Sequence, residues 1–216
     1  QGGLDSLLAP KGTIKQSHEK VAKTFGSQRS FFVTNGTSTS NKIVMQSTLV
    51  PGDIVLISAD CHKSIPYSVM LSGALPVFLE TYPLPQYDLY GAVTLDRIKE
   101  IMMDLKKNGS LHKLKQITLT NSTFDGLIYN VERYMMEILA IKPDIIFHWD
   151  EAWFAFSHFS PVYHHRTAMT VAKLLEKRFK SDDYKHKYSK SNPGQLPDPE
   201  KVILRVFSTQ STHKTL

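Results

Sequence analysis

FHWDEAWFAF, residues 147–156, is the stretch on which the fold turns. Together with Asp144, Ile145 and Ile146 its first half makes a short apolar run, and that run ends in two carboxylates, Asp150 and Glu151, before continuing into aromatics. Carboxylates at the carboxyl end of a parallel strand stand where open α/β sheets place ligands. A solvated strand end would carry acids too, so the stretch points to a strand and leaves the role of its acids open. Working outward, similar runs rich in β-branched residues predict strands at 31–34, 54–58, 75–80, 116–120, 144–149 and 202–207. Amphipathic stretches between them predict helices at 37–49, 62–71, 95–107, 131–141 and 167–180, with Thr94 capping the third. Pro51-Gly52-Asp53 is a turn into the second strand. Strands alternating with helices imply an α/β fold, a three-layer sandwich around a mainly parallel sheet.

With 216 residues and 41% hydrophobic content the chain fits one domain with a sizeable core. Its apolar runs fall far short of the roughly 20 residues a membrane span needs, so a soluble protein with no membrane partner is expected. Gln1 is not an initiator, and no basic region precedes an apolar stretch, so the chain is expected to begin inside a longer protein. The single cysteine, Cys61, excludes an internal disulfide and fits a reducing, cytoplasmic compartment. The formal charge of +6 is concentrated at 163–190, where eight Lys or Arg stand against three acids. A basic insertion describes this better than a basic protein, and no nucleic-acid partner is expected. Residues 181–201 have few aliphatics and three prolines, which predicts a solvated or partly disordered loop. No repeat and no linker marks a second domain.

Three further constellations carry chemistry. In FFVTNGTSTSN (31–41) an apolar run enters a Gly and hydroxyl loop and then a helix. Gly36 would let backbone approach a ligand, and Thr37 and Ser38 offer donors where a helix N-terminus favours an anion. A plain capped turn is the alternative. The segment matches neither a Walker loop nor a dinucleotide glycine pattern. VFSTQSTHK (206–214) closes on His213 and Lys214, and a lysine amine becomes a nucleophile when a neighbouring cation or desolvation lowers its pKa. A surface His-Lys pair would read the same way. Cys61-His62-Lys63-Ser64 brings an imidazole to the same sheet edge, where it could equally cap or pack. His158, His164 and His165 form no recognisable ligand spacing, so no structural metal is expected.

Taken in order, DSLLAPKGTI, FFVTNGTSTSNK, PGDIVLIS with CHKS, LTNSTFDGLIYN, DEAWFAF and STHK resemble the bacterial ornithine, lysine and arginine decarboxylases of the aspartate-aminotransferase fold, over about Asp5 to Lys214. The resemblance implies a pyridoxal-phosphate-dependent decarboxylase of a basic amino acid. Its fold would be the fold type I large domain, incomplete over 1–216, with a basic insertion at about 163–201 and no small C-terminal domain. By the same resemblance Lys214 would hold the cofactor covalently, Asp150 would pair with its ring nitrogen, and His62 would stack on the ring. Gly36, Thr37, Ser38, Ser211 and His213 would hold the phosphate, Ala152 would pack beneath the ring, and Trp153 would approach its phenolic oxygen. Thr123 would lie on the substrate side. In that family the strand after the lysine returns antiparallel into the sheet, and the site is completed across a homodimer. Another reaction on the same cofactor, or a catalytically silent fragment that binds cofactor or partner, is the alternative.

Overall fold

The computed structural model describes residues 5–215, so the expectation drawn at Gln1 lies outside the described residues. The chain runs through α1 (Thr13–Phe25), α2 (Gly36–Thr48), β1 (Ile54–Ser58), α3 (Ser64–Ser72), β2 (Leu75–Leu79) and a small hairpin of β3 (Pro83–Leu84) and β4 (Leu89–Tyr90). It continues through α4 (Leu95–Lys107), β5 (Leu114–Thr120), α5 (Val131–Ile141), β6 (Ile146–Glu151), α6 (Ala168–Lys180), α7 (Asp182–Ser189), β7 (Arg205–Gln210) and the short α8 (Thr212–Thr215). The five main strands form one sheet, ordered β2-β1-β5-β6-β7, in which every pairing is parallel. Thr94 caps α4 by accepting from the Arg97 amide at 3.2 Å, as its place in the sequence predicts.

Successive strand residues point to opposite faces, and the two faces differ. One is apolar: Leu56, Ile117, Leu119, Phe147 and Trp149 pack against Ile98 and Met102 of α4, Met135 and Ile138 of α5, and Val171 and Leu175 of α6. Each such side chain taken out of water contributes about 1.5–3 kcal/mol before entropy is set against it. On the other face Val55 and Ile57 pack under Met45 of α2, Leu49 just after it, and Ile65 and Val69 of α3. The expected three-layer α/β sandwich is therefore present. Beside this second, smaller cluster the central strands turn polar side chains toward α2: Gln116, Thr118, His148, Asp150 and Thr209 are all buried there.

Three sequence expectations need correction. Residues 31–34 form no strand; Phe31 and Phe32 are 70% and 42% exposed, and the Phe32 amide donates to His18 Nε2 at 3.1 Å. A strand is held by its ladder partner, and among the described residues β7 pairs only with β6 and offers none to this segment. Residues 181–201 are not a loop throughout: they include α7, capped by Ser181, whose hydroxyl accepts from the Tyr184 amide. Tyr184 is buried against Phe179, ring centroids 5.2 Å apart, so aromatics supply the apolar surface that aliphatics do not. Residues 13–25, for which the sequence reading names no element, form α1, with His18 and Ala22 buried. The last two strands are shifted toward the carboxyl end, from the expected 144–149 and 202–207 to Ile146–Glu151 and Arg205–Gln210, so Asp150 and Glu151 lie inside β6 rather than after it. No helix among the described residues is long and apolar enough to cross a membrane.

Candidate functional site

The residues singled out from the sequence gather at the carboxyl ends of the parallel strands, the side of an open α/β sheet where ligands bind. His62 follows β1, Thr123 follows β5, Asp150 and Glu151 end β6 with Ala152 and Trp153 just after it, and Ser211 to Lys214 follow β7. Gly36, at a φ of 77° that suits a residue without Cβ, opens α2 toward the same edge. The Thr37 hydroxyl donates to the Gln210 carbonyl at 3.2 Å, tying the start of α2 to the end of β7.

Asp150 and Glu151 are neighbours in one strand and therefore face opposite ways. Glu151, fully buried, receives four donors: the Asn121 amide at 3.1 Å, the Ala168 backbone N–H at 2.8 Å, the Ser208 hydroxyl at 2.6 Å and the Gln210 amide at 3.3 Å. Burial pushes its pKa up, and these donors pull the other way. That saturated carboxylate is a clamp joining β5, β6, β7 and the start of α6. Asp150, also buried, receives two donors among the described residues, the Asn41 amide on Oδ2 at 3.0 Å and the Ala152 backbone N–H on Oδ1 at 3.1 Å. A carboxylate has about four acceptor positions, so half of its capacity is unspent. Burial raises its pKa, opposed by those two bonds and by the electrostatic influence of His62 and Lys214, which lie near enough to act on it. In register with it on β5, Thr120 carries a buried hydroxyl without a hydrogen-bond partner among the described residues.

The remaining predicted residues fall as follows. His62 is exposed, and its Nδ1 meets the Ser64 hydroxyl at 2.9 Å and accepts from the Ser64 amide at 3.2 Å. Ala152 is buried, while Trp153 is half exposed with the Lys214 ammonium 4.8 Å above its ring. Ser211 is buried and meets His213 Nδ1 at 2.9 Å; His213, Lys214, Gly36 and Ser38 are exposed. Thr123 closes a tight turn by accepting the Leu127 amide at 3.1 Å. Cys61, beside this edge, is held as a thiol: burial, with the negative charges of Asp60 and Asp150, pushes its pKa up to about 12. Asn41 on α2, Ser64 on α3, and His148 and Thr209 on the strands, which join this site from below, escape the sequence reading, because a polar residue carries no local mark of the element it meets across the fold.

A family profile described as "Orn/Lys/Arg decarboxylase, major domain" matches residues 1–191. The chain belongs to the Orn/Lys/Arg decarboxylase family. The family's cofactor is pyridoxal phosphate, and the fold is that of fold type I decarboxylase large domains. The chain is 34% identical to lysine decarboxylase LdcA of Pseudomonas aeruginosa and 31% identical to the biodegradative arginine decarboxylase of Escherichia coli, over 99% of its length in both cases. It superposes on the solved constitutive lysine decarboxylase of Escherichia coli with a TM-score of 0.72 at 30% identity, covering 98% of this chain and 26% of that one. The chain thus spans about a quarter of the length of the curated relatives it matches.

Proposed function

We propose that the protein is a pyridoxal-phosphate-dependent decarboxylase acting on lysine, arginine or ornithine, and that this chain forms the part that holds the cofactor. The observation that carries the reading is the contrast between the two buried acids. Glu151 has every acceptor position filled, whereas Asp150 keeps capacity for a cationic donor on the side where Lys214, His62 and the α2 terminus converge. A protonated ring nitrogen is a donor of that kind.

When bound, the cofactor supplies the electron sink for the pair left on Cα as the bond to the carboxylate breaks and carbon dioxide leaves. Asp150 would hold the proton on the ring nitrogen. Lys214 provides the covalent attachment, and its contact with Trp153 keeps the amine at the mouth of the site. Gly36, Thr37 and Ser38, with the amides that open α2, hold the phosphate together with Ser211 and His213. By the family resemblance His62 and Ala152 would pack against the two sides of the ring, Trp153 would approach its phenolic oxygen, and Thr123 would lie toward the substrate. His62 or Lys214 delivers the proton that completes the amine. Residues 1–216 are read as part of the large domain, 163–201 as a basic insertion, and the full-length protein as a cytoplasmic homodimer.

The test is borohydride reduction of the full-length protein loaded with pyridoxal phosphate, followed by peptide mapping and assays with lysine, arginine and ornithine. The pyridoxyl label is expected on Lys214, with one of the three substrates giving its amine. A label on another lysine overturns the assignment.

A further inference from the structure

Beneath Asp150 a run of hydrogen bonds crosses the sheet, and elementary chemistry sets its direction. Asn41, on α2 and 1% exposed, places Nδ2 3.0 Å from Asp150 Oδ2 and 2.9 Å from the Ser64 hydroxyl. An ionised carboxylate only accepts, so the amide nitrogen must face it and the amide oxygen must turn away. That oxygen receives the Thr209 hydroxyl at 2.7 Å, which uses the one proton Thr209 has. Thr209 must then accept from its other neighbour, His148 Nε2, at 3.1 Å. His148 accordingly carries its proton on Nε2 and leaves Nδ1 as an acceptor, facing the Thr118 hydroxyl at 3.5 Å. Thr118 in turn accepts from the Gln116 amide at 3.0 Å. Complete burial, which pushes the His148 pKa down to about 3, keeps this imidazole to a single proton.

The second proton on Asn41 Nδ2 has its own consequence. The Ser64 hydroxyl accepts it and so has its own proton free for His62 Nδ1, 2.9 Å away. One buried amide therefore meets both the carboxylate assigned to the ring nitrogen and the serine that orients the imidazole assigned to the ring face. None of these groups can be reversed without stranding a buried donor or acceptor, at a cost of about 1–3 kcal/mol each.

We propose that Asn41 is a positioning residue for Asp150, and that Thr209 and neutral His148 lock its amide with the N–H turned to the carboxylate. The relay keeps Asp150 ionised and stops its carboxylate from rotating, so its unspent acceptor positions stay aimed at one place. The proposal rests on the reading of Asp150 as the partner of the cofactor's ring nitrogen.

The experiment uses the full-length protein with pyridoxal phosphate labelled with nitrogen-15 in the ring, and compares Thr209→Val, which keeps the shape and removes the hydroxyl, with Thr209→Ser, which restores it. In the wild type and in Thr209→Ser the ring nitrogen should show the protonated chemical shift and the same cofactor affinity within about twofold. In Thr209→Val the shift should move toward the neutral value and the affinity should fall by about tenfold, the scale of one lost hydrogen bond to a charged group. Asn41→Ala removes the donor itself and should move both readouts the same way and further; it also serves if Thr209→Val fails to fold. Folded variants that keep the wild-type shift and affinity, while still labelled at Lys214, overturn the relay alone. A wild-type protein that is not labelled at Lys214 overturns the cofactor reading and the relay with it.

Discussion

Two adjacent acids in one strand do different work because a strand sends neighbours to opposite faces. Replacing Asp150 by Asn keeps the shape and its contacts with Asn41 and Ala152 within reach, but removes the charge that would hold a ring proton. Turnover should fall by several orders of magnitude, far more than the pyridoxal phosphate affinity, while the urea midpoint changes little. Glu151→Gln should do the reverse. An amide has one acceptor oxygen where four donors converge, so at least one of the Asn121, Ala168, Ser208 or Gln210 donors loses its partner inside the core. Stability should drop by about 3 kcal/mol, the scale of breaking a buried charged network, as read by urea unfolding. Wild-type turnover in Asp150→Asn would remove the electron-sink argument for this site.

At the level of elements, the helices and strands with strong periodicity or clear caps are legible from the chain alone: 95–107 and 131–141 are α4 and α5 to the residue. What misleads is composition taken without packing. α7 has a polar sequence, yet Tyr184 is 5% exposed, stacks edge-on with Phe179, and donates its hydroxyl to the Pro197 carbonyl at 2.9 Å. Tyr184→Ala should therefore cost about 3 kcal/mol, at the low end for deleting a buried aromatic. Tyr184→Phe, which loses only the hydroxyl bond, should cost about 1 kcal/mol. Hydrogen exchange should show the amides of α7 losing protection in Tyr184→Ala while those of β6 keep theirs. Equal loss in both would mean that α7 is part of the central unit rather than a satellite docked on α6.

For the molecule as a whole, the sheet is bounded by β2 and β7, and β7 carries the residues that lead to Lys214. Parallel sheets are ordinarily covered on their faces and paired along their length, and an unpaired edge invites association with another chain. Phe31 and Phe32 lie exposed without a ladder partner among the described residues. Residues 1–216 expressed alone should therefore aggregate or self-associate and bind pyridoxal phosphate weakly, with the full-length protein binding it tightly as a homodimer. Size-exclusion chromatography and cofactor absorbance decide this. A folded monomer of the 216 residues with tight cofactor binding and decarboxylase activity would refute it.

The alternation of short β-branched runs with amphipathic stretches determined by itself that this protein is a parallel α/β sandwich, because the periods of burial are written along the chain. It also placed Asp150, His62 and Lys214 at strand ends, since local order decides which residue follows which strand. Only the tertiary structure decided that Glu151 is a clamp and Asp150 a half-satisfied acid, and that Asn41, 109 positions away in the chain, supplies one of its two donors. Partnership across a sheet depends on register and on which helix lies above which face. Neither leaves a local trace in a single sequence, because hydrogen bonds close between elements after the chain has folded over itself.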